Sequence, residues 1–286
     1  NHHGTESLAL FYDNTDNFPV GYLSSAQYLI TSDLVKAISA GMSLFSGKKS
    51  VIVSGKKFES SMNLYGAIYG EIPMIFPLDP EHELIKNEIK QLRSELMHPK
   101  NLKIFRGETL FVIPANITLE TVHLKAYIIY SPRQEEEIRG RYAEDIENIL
   151  ENLNDKPVYR WVNPAEALAD VAGMYAPFFQ WKVEENRMVI DVKRKTLGKY
   201  LKNSGISVIV TGDPEYQWDT CLEWIEERAE AEQFLTTFLK NFQIFPLSVD
   251  SDIMENGAFL IAFIAHVVER WVNEQYVRSG LLSIYT

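Results

Sequence analysis

Two carboxylates in this sequence are each positioned by a predicted regular element and could take part in chemistry. Asp13 ends the apolar run Leu8-Ala-Leu-Phe-Tyr, which is typical of a buried strand. Glu232 lies in the stretch Thr220 to Pro246, whose pattern predicts a helix. At 3.6 residues per turn, one helix face carries this carboxylate together with Ile225, Arg228, Leu235 and Leu239.

Each carboxylate also has a plain structural interpretation. Asp13 is followed by the turn-forming residues Asn14 to Asn17, where an aspartate commonly caps backbone amides. Glu232 could be a surface charge on a helix whose apolar stripe belongs to the core. The residues alone leave both interpretations open.

The order of these motifs resembles the catalytic domain of insertion-sequence DDE transposases. The last catalytic helix of that family carries Tyr, Arg, Glu and Lys at helical spacing, followed by a proline. With Pro246 aligned to that proline, Arg228 and Glu232 occupy the Arg and catalytic Glu positions. Ile225 and Leu239 then replace the Tyr and Lys that would contact DNA phosphates. Asp13, followed by Asn14 and Thr15, matches the first catalytic Asp.

The resemblance implies an active site that has lost one member. Gly55-Lys-Lys-Phe matches the place where the family has Asp-Arg-Gly-Phe, so Gly55 stands where the second catalytic Asp would be. That Asp would bridge the two divalent ions of the family's mechanism. Asp13 and Glu232 remain as a pair for Mg²⁺ or Mn²⁺, if any metal is bound, or for none. By the same alignment Arg228, Lys56 and Lys57 are candidate substrate-binding residues.

The fold implied by the resemblance is α/β, with a ribonuclease H-like mixed sheet flanked by helices. Residues 1–78 and 205–286 would form the two parts of this core, the second with the terminal helices. Residues 79–204 would form a strand-rich α+β insertion before the last catalytic helix. Within the insertion, periodicity predicts charged helices at 81–97 and 134–154 and a hairpin around Glu185 and Asn186. The family's N-terminal region for end recognition and assembly is expected to be missing or to lie elsewhere.

Composition restricts the possible partners. The 286 residues are 46% hydrophobic, enough to bury one large core or two smaller ones. A net charge of −11 disfavours DNA binding, because DNA-binding domains usually carry a basic stripe. The single Cys221 excludes an internal disulfide and predicts a reducing, cytoplasmic environment. The longest apolar run, Ala258 to Val268, is shorter than the roughly 20 residues that span a bilayer, so no membrane partner is expected.

Three functional hypotheses follow. The first is a transposase-derived, catalytically degenerate protein that acts as a binding or assembly subunit, with one or more protein partners in a larger complex. The second is a divergent DDE transposase domain that binds DNA and performs metal-dependent strand cleavage or transfer. The third is an unrelated α/β protein whose motif matches arose by chance. Gly55, Ile225, Leu239, the acidic charge and the expected lack of the N-terminal region favour the first.

Overall fold

The computed structural model describes residues 7–13, 18–25, 51–54, 73–119, 122–154, 156–157, 163–241 and 252–279. Gly55, Lys56 and Lys57 lie outside these ranges. Of Asp13, the structure describes only the backbone.

A six-stranded mixed sheet is the largest element of regular structure among these residues. Its first two strands are parallel and its last two are antiparallel. The sheet is flanked by helices, which confirms the predicted α/β class. In spatial order the strands are β3 (Ile52–Val53), β4 (Met74–Leu78), β11 (Ile206–Thr211), β7 (Val122–Tyr130), β6 (Glu108–Leu119) and β5 (Leu102–Phe105).

The strand that carries Asp13 belongs to a different sheet. β1 (Ser7–Asp13) pairs antiparallel with β2 (Phe18–Ser25), and the register shifts between Phe11 and Tyr12. These two strands form a sheet of their own, whereas β3 and β11 belong to the six-stranded sheet. The resemblance implies catalytic carboxylates on adjacent strands of one sheet. The described pairings differ from that expectation at β1.

The chain forms two compact units. The first comprises Asn1–Leu78, Asn116–Ala126 and Ile209–Thr286, and the second comprises Asp79–Ala115 and Tyr127–Val208. The first unit contains the long helices α5 (Trp218–Asn241) and α6 (Asp252–Ser279). The second contains α1 (Lys86–Leu92), α2 (Pro132–Leu153), α3 (Pro164–Ala172), α4 (Arg194–Tyr200) and the three-stranded sheet of β8 (Lys156–Pro157), β10 (Arg187–Val192) and β9 (Phe179–Glu184).

The core of the second unit forms around α2. Ser131 caps this helix, because its Oγ accepts a hydrogen bond from the amide of Gln134 at 3.1 Å, and Pro132 occupies the first turn. The helix predicted at 134–154 is confirmed, and its apolar stripe faces the core of the second unit. Ile138 is partly buried against this core. The buried members of the stripe are Tyr142, Ile146, Ile149 and Leu153.

A close approach at Gly205 joins α2 to the loop before β11. The amide of Ser131 donates to the carbonyl of Gly205 at 2.9 Å, and Gly205 has a φ of +76°. A Cβ at this position would lie 2.6 Å from the Ser131 carbonyl oxygen and 2.7 Å from Cβ of Glu135. Only glycine satisfies both the positive φ and the contact distance.

Several predicted elements differ in extent. The helix predicted at 81–97 is regular only over α1, and α3 was not predicted. The hairpin around Glu185 and Asn186 is confirmed, with φ values of +50° and +61° at the turn. Among the described helices, none combines the length and the apolarity needed to cross a membrane.

Candidate functional site

Helix α5 places the predicted pair Arg228 and Glu232 on one face. Nη1 of Arg228 donates to Oε2 of Glu232 at 2.9 Å, one helical turn away. The Glu232 side chain is 65% exposed. An ion pair this exposed usually contributes less than about 1 kcal/mol, because solvent screens it.

Helix α5 packs against β3 and β4, so the helix carrying Glu232 lies on the strand that ends just before position 55. Ser54 follows β3 and is buried, and its Oγ has no hydrogen-bond partner within the described part of the chain. The same holds for Nε of Arg228. Buried polar atoms are almost always paired, so each of these two atoms would favour a further polar partner.

Of the two candidate metal ligands, only Glu232 has a described side chain. Glu232 already accepts a hydrogen bond from a guanidinium, which would compete with a cation for the carboxylate. Within the described ranges, no group of three or more His, Cys, Asp or Glu residues could hold a metal ion. Asp13 ends β1, where its backbone pairs with Phe18, and its side chain is outside the described part.

A buried polar cluster adjoins Asp13 and was missed by sequence reasoning. Tyr12 Oη and His266 Nε2 are 2.8 Å apart, which links β1 to α6. Phe234 of α5 stacks on the His266 ring, with centroids 5.0 Å apart. Oε2 of Glu269 lies 3.4 Å from His266 Nδ1, although the geometry is not that of a hydrogen bond. A lone histidine within an apolar helix gave no signal for this pairing.

Tyr12 and His266 are both held neutral in this cluster. Burial lowers the pKa of His266 to about 4, with a smaller contribution from Arg270. Burial also raises the pKa of Tyr12 to about 12, with smaller effects from Arg270, Glu227 and Glu269. A general base works best with a pKa near the working pH. Since the imidazole is neutral, its approach to Glu269 is not an ion pair, and the cluster acts as a polar tether.

The α5 carboxylate that acts on Tyr12 is Glu227 and not Glu232. Five residues separate the two, which turns Glu232 about 140° away from the direction of Glu227. Glu232 is therefore not among the charges that shift the pKa of Tyr12.

Helix α6 carries apolar residues on two opposite faces. Phe259, Ala262 and His266 are buried where α6 packs against β2 and α5, and we call these three residues its inner face. On the opposite side, five large apolar side chains are between 48% and 58% exposed and fall within about 100° of the helix circumference. This set, the outer face, is Leu260, Ile261, Ile264, Val268 and Trp271.

A small basic cleft of about 150 Å³ lies in the second unit, between α1 and the turn at Lys202 and Asn203. Lys86, Lys90 and Arg93 follow each other at helical spacing along α1. Nη1 of Arg93 donates to Oδ1 of Asn203 at 2.9 Å, and Nη2 donates to the carbonyl of Lys202. The cleft concentrates four cations beside one carboxylate, Glu81.

No family model, curated protein or solved structure matches this chain.

Proposed function

We propose that this protein is a transposase-derived, non-catalytic subunit that binds a protein partner through the outer face of α6. The observation that carries the proposal is the exposure of five large apolar residues on one side of a helix whose other side is already buried. An apolar patch of this kind usually marks an interaction surface. A helix that is apolar all round is normally buried all round.

The absence of catalysis is supported by separate residues. Gly55 supplies no side chain at the position of the bridging carboxylate, and Glu232 is engaged by Arg228. Ile225 cannot contact phosphate as a tyrosine would. Each of these features removes a different requirement of two-ion strand transfer.

The transposase origin and a ribonuclease H-like fold for the first unit belong to the same proposal. They are supported by the order of motifs from Asp13 to Pro246 and by the packing of α5, with Arg228 and Glu232, on the strand just before Gly55. This is the neighbourhood that the resemblance expects for the last catalytic helix.

The test is affinity capture from a nuclease-treated extract of the native cell at moderate and high salt. Three forms are compared: the wild type, Ile264→Glu in the outer face, and Ile104→Glu. Ile104 is a matched control because it is also an isoleucine and is 62% exposed, on β5. We expect a nuclease-resistant protein complex that Ile264→Glu loses and Ile104→Glu keeps. A complex retained by Ile264→Glu, or none with the wild type, would reject the proposal.

A second candidate function, binding of a polyanion such as DNA, is favoured by the basic cleft. No ion pair of the described residues involves the ammonium groups of Lys86, Lys90 or Lys202. Like charges at helical spacing repel, so a bound phosphate would stabilise this arrangement. The cluster contrasts with the net charge of −11 for the whole chain.

Salt-dependent binding of a short DNA duplex tests this second function. The double variant Lys86→Glu, Lys90→Glu is compared with Lys103→Glu, which changes an exposed lysine on β5. If the cleft binds phosphates, the double variant binds more weakly and its affinity depends less steeply on salt. Equal DNA binding by both variants would exclude the cleft as the DNA-binding site. Nicking of supercoiled plasmid in the presence of Mg²⁺ or Mn²⁺ would instead favour the hypothesis of an active, divergent DDE transposase domain.

A further inference from the structure

The outer face of α6 has the spacing of a helix-pairing seam. Ile261, Ile264, Val268 and Trp271 follow each other at intervals of three, four and three residues. This is the alternation of the two apolar positions in a coiled-coil heptad. The seam therefore fits a second helix better than a flat protein surface.

The seam is self-complementary when two copies of α6 run antiparallel. In a two-fold pair, each residue faces the residue at the same distance on the other side of the axis. An axis at the level of residue 266 sets Ile261 against Trp271 of the second copy, and Ile264 against Val268 of the second copy. Every seam residue then meets an apolar residue, and the largest side chain meets a smaller one.

Charge at the ends of α6 favours the same orientation. The helix begins with Asp252 and has Glu255 in its first turn by sequence, whereas Arg278 in its last turn pairs with Glu274. In an antiparallel pair, the acidic end of one helix lies beside this charge-balanced end of the other, and the helix dipoles also oppose each other. A parallel pair would place the two acidic ends together.

We propose that the occupant of the outer face is a second copy of this chain, with the two α6 helices paired antiparallel about residue 266. This inference rests on the proposed function, since it names the partner for the same surface. The seam from Leu260 to Trp271 is only about 16 Å long. It is shorter than an obligate interface requires, so the dimer forms in a concentration-dependent way.

Cysteine cross-linking distinguishes the orientations in the full chain. The natural Cys221 is fully buried, and burial raises its pKa to about 12, so an introduced thiol is the reactive one. Ile264→Cys and Val268→Cys are oxidised mildly, each alone and mixed in equal amounts. Because a disulfide needs Cβ atoms within about 4 Å, the antiparallel register predicts that the mixture cross-links roughly tenfold faster than either variant alone.

Asn273→Cys mixed with Ile264→Cys is the control, because Asn273 is exposed but lies off the outer face. This mixture should cross-link no faster than Ile264→Cys alone. Sedimentation of the unmodified protein should show a dimer that dissociates on dilution. Ile264→Glu and Val268→Glu should each abolish this dimer while keeping the native circular dichroism spectrum.

Two results would overturn the inference. Fastest cross-linking by Ile264→Cys alone would mean a parallel pair, and a monomer at every concentration without cross-linking would mean that no second copy binds. The capture experiment separates this failure from that of the proposed function. If the native extract still yields a protein complex that Ile264→Glu loses, the outer face binds a different protein and only the second copy is rejected.

Discussion

Helices α2 and α6 are both long, but their apolar side chains differ in how far the fold buries them. The apolar stripe of α2 is covered by the second unit's own core, and the residues on its other side are charged. Helix α6 has a covered inner face and a second, exposed apolar face. The first helix is covered by its own fold, whereas the outer face of the second is exposed, and we propose that association covers it. This difference is the main reason to assign a binding role to this chain.

Ile149→Ala removes part of the buried stripe of α2 and should lower the stability of the chain more than any other substitution proposed here. Removing a buried isoleucine leaves a cavity, so we expect the free energy of unfolding to fall by about 3 kcal/mol. Chemical denaturation measured by circular dichroism gives the value. A loss below about 1 kcal/mol would mean that the core around α2 is loosely packed. The buried face of α2 would then differ less from the exposed outer face of α6.

Acid should weaken the attachment of α6 through its inner face. The pKa of His266 is about 4 in the folded chain, against about 6.5 in an unfolded one. The unfolded chain therefore binds more protons between these values, and stability falls as the pH drops through this window. Tyr12, Glu269 and Arg270 lie beside the imidazole, and the total loss from His266 should be about 3 kcal/mol.

Denaturation from pH 7 to pH 4 measures this loss. His266→Gln should flatten the pH dependence over that range, while His123→Gln, at an exposed position, should leave it unchanged. An identical pH profile for His266→Gln and wild type would show that the imidazole is not held neutral and that the inner face is not fixed by this tether.

Glu232→Ala should have a small effect, although this residue was the leading catalytic candidate. Because the ion pair with Arg228 is exposed, we expect a stability loss of less than about 1 kcal/mol and no change in the mass of the assembly. Thermal denaturation and sedimentation provide the two readouts. A large stabilisation or destabilisation by Mg²⁺ that Glu232→Ala removes would indicate a metal site and contradict the non-catalytic account.

Ile264→Ala should change the stability of the isolated chain least of all, by less than about 0.5 kcal/mol, because its side chain is 52% exposed. The same change should weaken self-association. The pair Ile149→Ala and Ile264→Ala therefore separates folding from assembly with one kind of substitution. A loss of stability at high dilution similar to that of Ile149→Ala would show that the outer face is part of the fold.

The sequence predicted the elements better than their arrangement. The stripe of α2, the turn at Glu185 and Asn186, and the strand after Gly205 follow from local periodicity and turn chemistry. The separate pairing of β1 with β2 depends on contacts between distant segments, which no local pattern encodes. Helix α3 was missed because Pro164 at its start signals a turn as readily as a first helical residue.

The candidate site shows the same limit. The spacing of Arg228 and Glu232 correctly placed them one turn apart on a helix. It could not show that the carboxylate is exposed, because exposure depends on how far β3 and β4 extend beneath α5. The apolar run from Ala258 to Val268 likewise does not reveal which of its residues are buried. Only the structure separates its buried residues from Leu260, Ile261 and Ile264.

The most direct test of the account is the thiol-labelling rate of an Ile264→Cys variant, since Cys221 is buried and contributes little. The rate is measured at high dilution, at high protein concentration, and in nuclease-treated native extract, with Asn273→Cys as the reference. We expect labelling at position 264 to slow markedly on concentration or in extract, while labelling at position 273 stays constant. Equal and unchanged rates at both positions under all three conditions would contradict a binding role for α6.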